Sequence, residues 1–170
     1  MRDPHCPSCG TPFVRVAQQA GRVEKVLNRV HVFPFRCQLC MARFRAFWKT
    51  TRDASREFDR REFKRLPSSF QAKVLTEQSI VSSHRVTDIS MVGCTLETIA
   101  PYQKGMFLEL MIKPASDEEA IKVDAAMVCS VRPSSLGVRF LEFHPEEQRR
   151  LSQVVLSLLV SQTIPPSPFS

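Results

Sequence analysis

Four cysteines in two CxxC pairs, Cys6-Pro7-Ser8-Cys9 and Cys37-Gln38-Leu39-Cys40, constrain this chain more than any other feature. Each pair can fold as a tight knuckle that turns both sulfurs toward one point, and two knuckles complete a tetrahedral thiolate site. Pro7 fixes φ inside the first knuckle, and Gly10 permits the backbone turn that follows. A segment of roughly 48 residues cannot bury enough apolar surface to outweigh its chain entropy unaided. Structural zinc contributes about 10–16 kcal/mol to peptides of this kind. Four thiolates leave no open coordination position, so Cys6, Cys9, Cys37 and Cys40 are expected to hold a structural Zn2+. His5 and His31 lie close to these ligands in sequence and are expected as bystanders.

One disulfide per CxxC is the alternative, and the compartment argues against it. The start, Met1-Arg2-Asp3-Pro4-His5-Cys6, lacks the apolar core of a signal peptide. No apolar run approaches the length of a membrane span, which predicts a cytoplasmic location where thiols stay reduced. The pattern resembles a zinc ribbon, with an unusually long stretch of 27 residues, 10 through 36, between the knuckles. Val23, Val26, Leu27 and Val30 recur at i, i+3, i+4 and i+7, which predicts a short amphipathic helix there. Phe35-Arg36 then leads into the second knuckle as a strand, and Phe44, Phe47 and Trp48 form its return.

Charge divides the chain in the same way. Residues 1–66 hold 15 Lys and Arg against 6 Asp and Glu, whereas residues 67–170 hold 9 against 11. The asymmetry predicts two modules, the first facing anionic partners or carrying a solvated basic face. Arg15, Arg22, Lys25, Arg29, Arg36, Arg43 and Arg45 interleave with Phe33, Phe35, Phe44, Phe47 and Trp48. That mixture suits phosphate contact with base stacking, so a nucleic acid is a possible partner beside an unidentified protein. The favoured reading keeps the aromatics as the small module's own core. The boundaries expected are 1–48 for the ribbon, 49–59 for a polar linker, 60–162 for a second domain and 163–170 for a flexible tail.

Beyond residue 68 the apolar pattern turns to period two. Strands are expected at 70–77, 83–89, 94–99, 106–113, 120–131 and 136–143, punctuated by Pro101, Gly105, Pro114 and Pro133. Six short strands with no helix between them indicate an antiparallel barrel or sandwich, a mainly β class. Leu151, Val154, Val155, Leu158 and Leu159 follow at helical spacing after the acidic opening Pro145-Glu146-Glu147, so a terminal helix should cover one end. Cys94 and Cys129 lie in apolar alternation and read as small core residues.

Two short runs at the start of this domain carry the chemistry. Arg61-Glu62-Phe63-Lys64-Arg65 is an RxxxR, and two guanidinium forks four positions apart can each bind phosphate oxygens through paired, charge-assisted hydrogen bonds. Asp88-Ile89-Ser90-Met91-Val92-Gly93 is a DxSxxG, whose carboxylate and hydroxyl suit the N–H edge of a guanine. Ile89 should face the core, with Asp88 and Ser90 on the opposite side. Gly93 relieves a bend or permits a close approach. Taken alone, the first run fits a solvated linker and the second an Asx-type turn bonded to its own backbone.

Together, with 22 residues between them, the runs resemble those of the PilZ family, bacterial receptors for cyclic di-GMP. The resemblance covers residues 60–162 and implies a six-stranded antiparallel barrel followed by a C-terminal helix. It implies that Arg61 and Arg65 contact phosphates and stack on guanine, and that Asp88, Ser90 and Gly93 belong to the same cyclic di-GMP site. Arg60 is a weaker candidate from a shifted frame. Arg139, in Leu136-Gly137-Val138-Arg139-Phe140, resembles a residue of a late strand near the ligand and ranks equally low. Val92 departs from the family, which often carries a second glycine there. No phosphate-binding Gly-rich loop, HExxH or nucleophile elbow is present, so the expected protein is a receptor and not an enzyme. Ligand binding would then be relayed to the zinc ribbon. The competing reading is a ribbon that binds nucleic acid or protein beside a barrel that has lost its ligand.

Overall fold

A computed structural model describes residues 3–18, 21–48, 62–75, 82–114 and 119–163. The chain divides into two compact units, Met1–Lys64 and Arg65–Ser170. The division falls inside the RxxxR run. The linker stretch 49–59, Arg60, Arg61 and the tail from 164 lie outside the described residues.

The first unit contains β1 (Val14–Val16), α1 (Arg22–Arg29), β2 (Val32–Cys37) and β3 (Arg43–Phe47). Its strands form an antiparallel sheet in the order β1-β2-β3. Val16, Phe35 and Phe44 share one cross-strand row, and Phe33 lies opposite Ala46. Val16, Phe33 and Phe35 are buried, with Val14, Phe44, Ala46 and Trp48 packed against them. The Trp48 ring meets Phe33 and Phe35 edge-on at centroid distances of 6.1 and 5.8 Å. The aromatics therefore make the core of this unit, as its small size demands.

Helix α1 forms where the valine spacing predicts, but it turns the valines outward. Val23, Val26 and Val30 are 64%, 60% and 56% exposed, whereas Glu24 is 3% exposed. The Glu24 carboxylate accepts hydrogen bonds from Arg43 at 2.8 Å and Arg45 at 3.5 Å. The sheet's own rings already fill the core. The helix is docked instead by two arginines of β3 that need a counter-charge, since a buried carboxylate must be paired.

The second unit is a closed antiparallel barrel of β4 (Leu66–Leu75), β5 (Ser82–Ser90), β6 (Gly93–Glu97), β7 (Phe107–Lys113), β8 (Ile121–Arg132) and β9 (Ser135–Glu142). The strand order is β4-β5-β6-β9-β8-β7, and pairing of β7 with β4 closes the ring. Closure leaves no strand edge to pair with another chain. Strand β7 shows the alternation most simply, with Leu108, Leu110 and Ile112 inside and Phe107, Glu109 and Met111 outside. Strand β4 begins at Leu66, four residues before the expected start, because Leu66 pairs with Ile89 across a bulge between Pro67 and Phe70. Helix α2 (Pro145–Thr163) buries Leu151, Val155 and Leu159 at i, i+4 and i+8 and lies against β8 and β4. Among the described residues no helix is long and apolar enough to cross a membrane.

Candidate functional site

The four N-terminal cysteines converge. Gly10 (φ 72°) and Met41 (φ 60°) occupy the same place, one residue after the second cysteine of each pair. Glycine takes this left-handed conformation freely, while Met41 must be held in it. The N–H groups of Leu39 and Cys40 both point at the Cys37 sulfur, at 3.4 Å each. Across the knuckles the Cys6 and Cys40 sulfurs are 3.5 Å apart and those of Cys9 and Cys37 are 3.6 Å apart. All four lie within 4.8 Å of one another. A tetrahedron with metal–sulfur bonds of about 2.3 Å has edges of about 3.8 Å, so the set fits a four-coordinate ion.

The electrostatics point the same way. Burial raises the Cys37 thiol to about 12, although the Leu39 and Cys40 N–H groups pull it down. Burial also raises Cys40. At Cys6 burial again raises the value, but hydrogen bonds from the Cys9 and Ser8 backbone and from the Cys40 and Cys9 sulfurs win, bringing it down to about 7. Four clustered thiols cannot all ionise without a cation among them, which is what a divalent metal supplies. His5 is turned aside, its ring bonded to the Asp3 carbonyl, and His31 packs edge-on against Phe47.

In the barrel, the hairpin of β5 and β6 builds a second site. Met91 and Val92 form the turn, and counting outward pairs Ser90 with Gly93, Ile89 with Cys94 and Asp88 with Thr95. A bulge at Thr87 interrupts the alternation, so Val86 and Ile89 both point into the core. Asp88 is left on the outer face opposite Thr95, since a bulge re-aims the side chains beside it. Arg65, one residue before β4, donates from Nη1 to Asp88 Oδ1 at 3.2 Å and to Thr95 Oγ1 at 2.7 Å. Among the described residues its other guanidinium nitrogens and Asp88 Oδ2 have no partner. Neither charge of this pair is deeply buried, at 37% and 27% exposure.

Ser90 behaves differently from Asp88. It is 4% exposed, its hydroxyl donates to the Gly93 carbonyl at 3.1 Å and accepts from the Val92 N–H at 3.4 Å. It closes the hairpin turn. Gly93 is paired with Arg139 of β9, which is exposed. A Cβ on Gly93 would stand 2.3 Å from the Val138 carbonyl oxygen and 3.3 Å from the Arg139 Cα. The close approach is therefore between two strands of the barrel. Gly93→Ala should force β6 and β9 apart and destabilise the barrel by about 1–3 kcal/mol. A melting temperature lowered by less than roughly 4 °C, the shift of a 1 kcal/mol loss in a domain this size, would contradict that contact.

Thr95 is the residue that sequence reasoning missed. Its signal was available, because it stands as far after the Met91-Val92 turn as Asp88 stands before it. Two hollows in the barrel surface, one lined by Ile121, Arg150 and Val154 and the other by Gln71, Met111 and Lys113, contain no residue of either motif. Cys94 is fully buried, and burial pushes its thiol up, as suits a small core residue. Cys129 is half-buried.

A family model described as the PilZ domain matches residues 59–157. No curated protein matches significantly. Among solved structures, YcgR from Escherichia coli in complex with c-di-GMP aligns with a TM-score of 0.53 at 16% identity, covering 88% of this chain and 75% of that one. The MrkH–c-di-GMP complex of K. pneumonia aligns at 0.52 with 16% identity, covering 88% and 78%. MotI/DgrA of Bacillus subtilis, an inhibitor of motility, aligns at 0.54 with 15% identity, covering 77% and 66%. At these identities the likeness is one of fold.

Proposed function

This chain belongs to the PilZ domain family, and from that membership we propose that it is a non-enzymatic receptor for cyclic di-GMP. The observation that carries the reading is the meeting of Arg65 with Asp88, one residue from each of two runs far apart in sequence. In the proposed complex, Arg61 and Arg65 bind phosphate oxygens through their guanidinium forks. Asp88 accepts hydrogen bonds from the N–H edge of a guanine, with Oδ2 the oxygen available for it. Arg65 exchanges part of its bond to Asp88 for the phosphate, so the ligand replaces an existing ion pair and leaves no charge uncompensated. Thr95 orients both. Ser90 and Gly93 act indirectly, by shaping the hairpin that carries Asp88. Arg60 and Arg139 serve as outlying positive charge that attracts the anion.

The four cysteines hold structural zinc in this reading, and the ribbon receives the signal. The relay runs through the arginine run itself, because the division between the two units falls inside it. Ligand affinity supplies the bias for that relay.

The reading of the ribbon as a nucleic-acid module has less support. Arg36 and Arg43 are engaged with Glu24 and Glu62, and Phe33 and Phe35 are buried, which withdraws these four from a phosphate backbone or a base. Calorimetric titration of the full chain with cyclic di-GMP, and separately with duplex DNA, at two salt concentrations decides between them. Saturable nucleotide binding at both concentrations is expected. No heat with the nucleotide, together with steeply salt-dependent DNA binding, would replace the receptor with the adaptor.

A further inference from the structure

The two cysteine knuckles are copies of one turn that differ at one informative place. In each, the first cysteine's N–H donates to the carbonyl five residues on, Cys6 to Thr11 and Cys37 to Ala42, at 2.9 Å both times. In each, the residue after the second cysteine is left-handed, Gly10 at φ 72° and Met41 at φ 60°. A Cβ on Gly10 would meet nothing within 4 Å, so the first turn needs glycine for its conformation and not for space. Met41 carries a side chain and bears the steric cost that glycine escapes, so its surroundings must hold the turn.

The second knuckle has a brace for this. Arg36 precedes Cys37 in β2, and its Nη1 donates to the Met41 carbonyl at 2.9 Å. Glu62 aims that guanidinium, because its Oε2 accepts from Nε at 3.2 Å and from Nη2 at 3.0 Å. A charge-assisted pair made through a planar fork fixes the group's direction as well as its position. The same guanidinium lies over the Phe63 ring, 5.9 Å from its centroid. Glu62 is in turn tied to the knuckle. Gln38 Nε2 donates to the Glu62 carbonyl at 2.9 Å, and Gln38 Oε1 accepts from the Lys64 N–H at 2.7 Å. All of these residues belong to the first unit.

We propose that Arg36, oriented by Glu62, is a positioning residue of the metal site: it holds Met41 left-handed, and with it the turn that places Cys37 and Cys40. The inference rests on the reading of the four cysteines as metal ligands. Neither Arg36 nor Glu62 is a ligand. Cys40 adjoins Met41, so a Met41 that relaxes to an ordinary conformation carries the Cys40 sulfur away from the other three. What glycine provides in the first knuckle, a guanidinium on a carbonyl provides in the second. Residues 62–64 are then part of the metal module, although they lie beyond its last strand in sequence.

The test measures zinc affinity of the full chain by competition with a chromophoric chelator. Arg36→Met keeps the apolar stem and removes the bond to Met41, and affinity should fall about tenfold, as is usual when an outer partner of a metal site is lost. Glu62→Ala, outside the sheet, should give a smaller loss in the same direction. Met41→Gly, added to either variant, should restore affinity to near the wild-type value, because glycine takes the left-handed conformation unaided. A residue that merely supported the sheet would show a loss that Met41→Gly leaves unrepaired, and that outcome overturns the positioning role. If Arg36→Met disturbs the sheet, seen as a shifted Trp48 emission, Glu62→Ala with and without Met41→Gly decides the matter. Wild-type affinity in both Arg36→Met and Glu62→Ala also overturns the role and leaves the metal site intact. A wild-type chain that binds no zinc overturns the reading of the cysteines, and the positioning role with it.

Discussion

Removing metal from the four-cysteine site with a strong chelator is expected to unfold the first unit and leave the barrel standing. Structural zinc contributes about 10–16 kcal/mol in peptides of this size. Against that, the buried apolar side chains among the unit's described residues are Val16, Ala17, Phe33 and Phe35 besides Cys6 and Cys37. Each is worth at most about 1.5–3 kcal/mol, while ordering the backbone costs about 1–2 kcal/mol for every residue. The barrel has its own closed sheet and a core from Leu66 through Leu159. The chain's single tryptophan, Trp48, packs on Phe33 and Phe35, so its fluorescence reports on the first unit alone. Chelation should shift that emission to the solvent-exposed value, with recovery on adding zinc, while the far-ultraviolet signal of the barrel keeps its melting transition. Cys37→Ser should do the same without chelator. An unmoved Trp48 signal in metal-free protein would count against the site.

The pH dependence of loading has a definite sign. Metal binds thiolates, and in the metal-free site the Cys37 thiol sits at about 12 and Cys40 is raised as well, both chiefly by burial. These two are protonated at neutral pH, whereas Cys6, at about 7, is partly ionised there. Loading at pH 7 must therefore release protons, and metal affinity should rise with pH and fall in acid.

Replacing either member of the Arg65–Asp88 pair should weaken cyclic di-GMP binding tenfold or more, with little change in stability. Hydrogen bonds to charged groups contribute about 1.5–3 kcal/mol, and 1.4 kcal/mol is a factor of ten. An ion pair this open to solvent contributes only about 0–1 kcal/mol to folding. Arg65→Ala and Asp88→Ala should thus melt close to the wild type and bind poorly. Because the two side chains touch, the double variant should lose less than the sum of the single losses. Ser90→Ala should show the opposite balance, since its hydroxyl closes the hairpin turn: a measurable loss of stability and a smaller, secondary loss of affinity. Titration and thermal melting of the four variants separate these outcomes. Equal nucleotide affinity in wild type, Arg65→Ala and Asp88→Ala would discard the assignment.

Much of this molecule was legible from local pattern. The CxxC spacing acts within four residues, so both knuckles follow from it, left-handed residue included at Gly10. Period-two alternation names the inward residues of β7 without any knowledge of their partners. The spacing of Leu151, Val155 and Leu159 does the same for the buried stripe of α2. What the pattern could not supply was the choice among faces and neighbours. The valines of α1 mark a helix, yet they point outward because Arg43 and Arg45, on a strand fourteen or more residues later, draw Glu24 in. Strict alternation would send Asp88 and Ser90 the same way. After the bulge at Thr87 both keep the same parity, and what differs is burial: Asp88 stays partly open while the Ser90 hydroxyl is bonded into the turn.

The sequence by itself determined which elements exist, where the thiols gather and which residue types a nucleotide could meet, because periodicity and short spacings are enforced by backbone geometry within a few residues. Tertiary structure alone decided that Arg65 reaches Asp88 and Thr95 and that Gln38 bonds to the Glu62 carbonyl and the Lys64 N–H. Those choices depend on which distant backbone groups are brought within hydrogen-bonding distance, and a carbonyl or N–H left unpaired in the interior is too costly for the folded chain to leave unanswered.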